Sequence, residues 1–546
     1  MFRLNDKYKF LVLIVAVIIL LLPFAKKPFH IDDTVFLYSA KHILTNPLRP
    51  YGFNMSWSGT VNHVWTVNKN PPLWPYMLAL LIRLFSEQEM ALHMAYMIFP
   101  VISILAVYFL GRRFVKDPFL PAVFLLVSPA FFVSSTNLMS DLPQLAFYLS
   151  AILFYMKGFD DNRYGYFALA GLLAGCAVLS KYTAFTIFLI FVFYNMIFQK
   201  SYKRAWLSFL ISTFMILLWG LHGLYFYGRP HFLNFSNAPV FWRNIDVSGS
   251  VFTNFTELLI FLSGVSLFGF LFRIDLSKEN KNIVSAVSVL IFTAAAILTV
   301  YVIRSYAGRI GLFDPVFVFL FLTGTLFLFR NCIIYYLKNR YDKIFLFLFS
   351  WFFVNAYIVI FLFAVSARFV LMALPPMALL IAYAMGKEGL IVTQKRRLYT
   401  GCILILAVSI LVAHSDYCLA VSYKRFADAT KEKMGDKKVY FTGNWGFQYY
   451  MEKRGFSPLD YENASLEEGD IIISPVSNPG LYTEKIDDVA KLIGAYKDEN
   501  KGLFRVMSKA GFYCSGFGPL PYAPGAPFAE AYLYYNVTKP YKGRLL

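Results

Sequence analysis

The chain has 546 residues, of which 58% are hydrophobic and only 15% charged, with 58 Phe and 37 Tyr. Soluble domains are nearer a quarter charged, and disorder, collagen, coiled coil and small disulfide scaffolds are excluded by the same figures. The net charge of +19 does not point to nucleic acid: residues 414–546 hold 17 Lys/Arg against 16 Asp/Glu, so the excess lies in residues 1–413, in short gaps between apolar runs. That is where membrane orientation charges belong, and the composition reads as an α-helical polytopic membrane protein.

Apolar runs of about 16–22 residues can each cross a hydrocarbon core ~30 Å thick. They fall near 10–25, 91–110, 118–133, 142–156, 164–179, 183–198, 205–227, 256–272, 283–302, 311–329, 344–363, 369–385 and 398–413. About 13 transmembrane helices put the two termini on opposite sides. With the N-terminus inside, the inner segments total 65 residues with 22 Lys/Arg, and the outer ones before the tail total 115 with 12. The cationic density is higher inside, as the positive-inside rule requires. Residues 73–85 (LWPYMLALLIRLF) are too short for a span and read as an interfacial or re-entrant helix in the first outer loop, 26–89. Residues 34–45 read as a second such helix, opened by Asp32-Asp33. The run 164–198, whose only charge is Lys181, is too long for one crossing and is expected to hinge at Ser180-Lys181-Tyr182.

The chain is expected to divide into a transmembrane region, 1–413, and a small extracytoplasmic C-terminal α/β domain, 414–546. In that tail 437–475 reads as short strands and turns, 484–497 as helix and 516–527 as a Gly/Pro loop. Five Cys form no CxxC or Cys/His cluster. A Cys418–Cys514 disulfide is open if the tail is extracytoplasmic.

Ionisable residues at membrane helix ends are costly and mark functional sites. The outer-face acids are Asp32, Asp33, Glu87, Glu89, Asp141, Asp246, Glu257 and Asp314, and the matching cations are Lys69, Lys181, Arg304, Arg309 and Arg368. A helix cap would account for one carboxylate of Asp32-Asp33 but not for two. Asp141 can cap its helix, and Lys181 and Arg368 can snorkel into headgroups; each is weighed against a site role. No phosphate loop, G-x-S-x-G elbow or H-E-x-x-H is present, and no internal repeat suggests a secondary transporter.

The order HIDDTVFLYSAKHIL, NPPLWPYMLAL, SPAFFVSSTNLMSDLPQLAFYL, GLLAGCAVLSKYT and SARFVLMALPPMALLIA resembles the GT-C membrane glycosyltransferases. Within that class it is similar to the protein mannosyltransferases and the lipid A aminoarabinose transferase. The resemblance covers 1–413 and touches the tail in outline. It implies a catalytic acid at Asp32 with Asp33 in support, although the family pair is usually Asp-Glu. It also implies a substrate or metal role for Asp141, and donor-phosphate contacts from Lys181 and Arg368. Arg304 and Lys69 join that cationic set from their outer-face positions.

The expected activity is an inverting sugar transfer from a polyprenyl-phosphate donor to a lipid, glycan or protein acceptor, on the extracytoplasmic face of a cell membrane, with a bacterial inner membrane favoured. A sugar phosphate carries its own leaving group, so one carboxylate base suffices, whereas a glycoside hydrolase needs two. No cofactor is implied with certainty, and a divalent cation stays open. So do a lipid-linked-sugar flippase or carrier without transfer chemistry, and a polymerase or ligase using a lipid-pyrophosphate donor.

Overall fold

The computed structural model describes residues 6–236, 251–272, 281–435, 437–478, 484–499, 502–525 and 529–545. Among the described residues, seven helices are long and apolar enough to cross a membrane: Glu89–Phe114, Lys203–Tyr227, Ala286–Ser305, Asp314–Lys338, Lys343–Phe361, Ala367–Lys387 and Lys395–Met434. Shorter apolar helices lie at Tyr8–Phe24, Leu73–Phe85, Tyr164–Ser180, Tyr182–Ile197 and Val251–Ser266.

Leu73–Phe85 and Asp33–Thr45 are helices with the bounds expected of interfacial segments. The expected span 118–133 is instead two helices, Phe119–Val127 and Pro129–Ser134. Pro129 drives Ser128 to an extended ψ of 135°, because the pyrrolidine ring clashes with a helical preceding residue. The run 164–198 breaks at the expected place: a helix ends at Ser180, Lys181 is extended, and a 3-10 turn Tyr182–Phe185 leads into Thr186–Ile197. The small face of GLLAGCA lets helices approach closely. A Cβ on Gly171 would stand 2.7 Å from the Ser208 carbonyl oxygen of the helix Lys203–Tyr227.

The last long helix runs unbroken for 40 residues, Lys395–Met434. At 1.5 Å per residue it is roughly 60 Å long, about twice a hydrocarbon core. The boundary drawn at 413/414 therefore falls inside a helix, whose second half is a pillar for the tail.

Around that pillar the tail folds as a mixed sheet. Strands β1 (Asn54–Trp57) and β2 (Thr60–His63) form a hairpin in the loop 26–89. In the tail, β3 is Val439–Phe441, β4 Ser457–Pro458, β5 Ala464–Leu466, β6 Ile471–Pro475, β7 Ala490–Asp498, β8 Phe504–Arg505, β9 Ala523–Pro524, β10 Glu530–Val537 and β11 Tyr541–Gly543. Five of these form one sheet in the order β4-β3-β6-β10-β7. The two pairings of β3 are parallel and the two of β10 antiparallel. The helix expected at 484–497 is confined to Glu484–Asp487, and the rest is β7, paired along its length with β10. Within 437–475, residues Trp445–Lys453 are a helix. Cys418 and Cys514 are both free thiols.

Candidate functional site

A cavity of about 520 Å³ opens between helix ends, the loop 26–89 and the tail. Asp32, Lys69, Lys181 and Arg368 all line it. These four come from widely separated stretches of chain, and each is held by a different local device.

Asp32 stands at the N-terminus of the Asp33–Thr45 helix, but its side chain makes no capping hydrogen bond. Its Oδ2 accepts from Arg368 Nη1 at 2.6 Å, and the Asp32 side chain keeps 24% exposure. Asp33 is held differently. It is fully buried, with Oδ2 accepting from the His30 amide at 2.9 Å and Oδ1 from the Leu138 amide at 2.8 Å. Burial pushes the Asp33 carboxyl up to about 7, while those two amides pull it down. The residue before the pair, Ile31, has φ +44°. A β-branched residue there is strained, at a cost of order 1–3 kcal/mol, and the Asp33 anchor holds the chain in that shape.

Lys181 is the extended residue of the helix break. Gln144 Nε2 holds this hinge, donating to the Lys181 carbonyl at 3.3 Å and to Thr183 Oγ1 at 2.7 Å. Lys181 Nζ lies 2.5 Å from Asp141 Oδ1 and 4.6 Å above the Phe369 ring. Burial pushes the Lys181 ammonium down, against the pull of Asp141. Asp141 is therefore the counter-ion of the lysine.

Arg368 sits in a short turn, Ala367–Val370, whose preceding Ser366 caps it through the Phe369 amide. The tail staples this turn. The Ala367 amide donates to the Phe512 carbonyl at 2.9 Å, and the Ser515 amide to the Val365 carbonyl at 2.8 Å. Lys69 reaches the cavity from the first loop, and burial together with Arg229 pushes its ammonium down.

Other expected residues lie elsewhere. Arg304 is exposed at the end of its helix and is not among the lining residues. Asp314 is buried against Arg505, with Nη2 at 2.6 Å from Oδ1. Glu257 is paired with Tyr306. Glu87 and Glu89 bind Tyr449 and Tyr450 of the tail, each at 2.7 Å. Asp246 lies outside the described residues. No group of three or more His, Cys, Asp or Glu that could hold a metal occurs among the described residues. With Asp32 and Asp141 each paired to a cation, this donor set does not fit a divalent ion.

Sequence reasoning missed a buried network beneath the cavity. Lys27 is paired with Asp416, and both are fully buried. Lys27 also donates to Asn137 Oδ1 at 2.7 Å. His30 Nε2 lies 3.1 Å from Asp416 Oδ1, and Tyr513 OH donates to Asp416 Oδ2 at 2.7 Å. Burial pushes the His30 imidazole down. The network ties the chain just before Asp32 to the pillar helix and to Tyr513, which lines the cavity. Gly446 completes the fit, since a Cβ there would lie 2.2 Å from the Phe29 carbonyl oxygen. The available signal was Asp416 itself, an acid three residues beyond the last apolar run.

Residues 69–222 match the family model described as dolichyl-phosphate-mannose-protein mannosyltransferase. That segment includes Lys69, Asp141 and Lys181, and the match agrees with the resemblance read from the sequence. Among solved structures, the chain is similar to ArnT from Cupriavidus metallidurans bound to undecaprenyl phosphate, at 13% identity and TM-score 0.44, covering 98% of this chain and 99% of that one. The apo state of the same protein gives 14% identity and TM-score 0.43, covering 86% and 93%. The archaeal oligosaccharyltransferase AglB from Archaeoglobus fulgidus, in complex with an inhibitory peptide and a dolichol-phosphate, gives 13% and 0.41, covering 85% and 66%. No curated protein sequence matches the chain.

Proposed function

We propose that the protein is an integral membrane glycosyltransferase that moves a sugar from a polyprenyl-phosphate donor to an acceptor at the extracytoplasmic face, with inversion. The observation that carries this reading is one carboxylate, Asp32, in one cavity with three cations, Lys69, Lys181 and Arg368. The cations suit the phosphate, which gains charge as the glycosidic bond breaks. Asp32 suits the base that takes the acceptor's proton.

The Arg368–Asp32 pair links the two duties. A donor phosphate entering the cavity competes with Asp32 for the guanidinium. As Arg368 turns to the phosphate, Asp32 is released toward the acceptor. Asp33 positions its neighbour and takes no proton from substrate.

The decisive experiment uses a radiolabelled polyprenyl-phosphate sugar with the full chain in proteoliposomes. Label arriving on an acceptor supports transfer. Label that only crosses the bilayer overturns it in favour of a carrier.

A further inference from the structure

The cavity has two unlike walls. One part of the lining carries Lys181, Arg368 and Phe369, charges and a ring suited to an anionic lipid head. Another is built where the β1–β2 hairpin meets the tail, from Trp57, Ser58, Asn444, Trp445 and Phe517. It carries no charge, and the two tryptophans come from opposite ends of the chain.

The backbone is bent to place them. Ser58 has φ +57° and Trp445 φ +64°, a left-handed conformation that non-glycine residues avoid. Strain of this kind persists only where the surroundings enforce it, and it clusters at functional sites. The enforcement is visible. The Ser58 amide donates to Asn444 Oδ1 at 2.9 Å. The Asn444 amide donates to Asn478 Oδ1, and Asn478 Nδ2 donates back to the Asn444 carbonyl, both at 2.8 Å. Phe517 meets the Trp445 ring edge-on at 6.0 Å between centroids.

Two indoles with a hydroxyl and an amide match one ligand chemistry. A sugar ring presents a face of C–H bonds to an aromatic plane and a rim of hydroxyls to polar groups. Peptides held on aromatic-lined grooves are proline-rich segments in an extended helix, and they are the competing occupant that the peptide arm of the test addresses.

Resting on the transferase reading, we propose that the Trp57–Trp445 wall is a carbohydrate subsite that holds the acceptor, so the group glycosylated is a hydroxyl of a glycan or glycolipid. The acceptor oxygen bonds to the donor's anomeric carbon as the bond from that carbon to the phosphate oxygen breaks. The electron pair leaves with the polyprenyl phosphate, and the hydroxyl proton passes to Asp32.

The test incubates the labelled full chain in detergent with a glycan array and a peptide array, and titrates the strongest glycan alongside undecaprenyl phosphate. Trp57→Ala, at a half-buried position, and Trp445→Phe, which keeps a ring, should each weaken the glycan by about tenfold or more and leave undecaprenyl phosphate binding unchanged. The subsite is overturned if the wild type binds no glycan, if it selects peptides instead, or if neither variant loses affinity. It is also overturned if both variants lose the lipid equally, because the wall then serves the donor. Intact glycan binding with no lipid binding would sink the transferase reading and leave the subsite standing.

Discussion

At the scale of single residues, the two adjacent aspartates have opposite surroundings, and the proposed division of roles rests on that difference. Asp32→Asn should lower turnover by about 10²–10⁴-fold, the usual contribution of a general base. Undecaprenyl phosphate binding, measured in nanodiscs, should persist. Lys181→Ala should instead weaken lipid binding, since a lost charge-assisted contact costs on the order of 1.5–3 kcal/mol. It also strands the buried Asp141 carboxylate, so Lys181→Ala with Asp141→Asn should recover stability but not binding. Asp33 gives a pH signature. Its folded value of about 7 lies above the ordinary 3.8, so between those values the folded chain holds a proton that the unfolded chain releases. This contribution is full below pH ~4 and is lost as pH rises toward 7. Asp33→Asn should flatten the fall in thermal midpoint across that window, and an unchanged slope would count against the assignment. In the sequence the outer-face charges formed a short list that included Asp32, Lys69, Lys181 and Arg368. The split between Asp32 and Asp33 came only from the resemblance; the residues themselves do not carry it, because their different surroundings depend on the amides of His30 and Leu138, and Leu138 is far along the chain.

At the scale of elements, the pillar helix and the loop before Asp32 are joined by a charge pair with no solvent around it. Removing one partner of such a pair typically costs 3–5 kcal/mol, because the survivor stays buried and unpaired, whereas replacing both by apolar groups is often neutral. Asp416→Ala should therefore unfold the outer assembly at markedly lower temperature. Lys27→Met combined with Asp416→Leu should recover most of the loss in the same melting assay. Local pattern did reveal the short helices 34–45 and 73–85 and the break at Lys181, since length and a lone charge settle those. It did not reveal β7. Most of that strand is exposed on both faces, so its sequence lacks the alternation that marks a half-buried strand, and pairing with β10 decides its state. The pillar was misjudged for a related reason. Hydropathy falls after residue 413, but helical hydrogen bonding does not depend on hydropathy.

At the scale of the whole molecule, the charge distribution predicts that Lys395–Arg397 face the cytoplasm and Asn463 the outside. Single cysteines at 395 and 463, treated in intact cells with an impermeant thiol reagent, should label only at 463; the reverse would invert the orientation. The cavity draws its walls from both ends of this topology, and that has a consequence for biosynthesis. Asp32 leaves the ribosome early, whereas Phe517 follows about 485 residues later, roughly 25 s or more at common synthesis rates. Until then the nascent chain holds a cleft of buried charge with one side missing. Chains that stop short, or whose tail crosses the membrane slowly, would carry the charged residues without the enclosure that makes them selective.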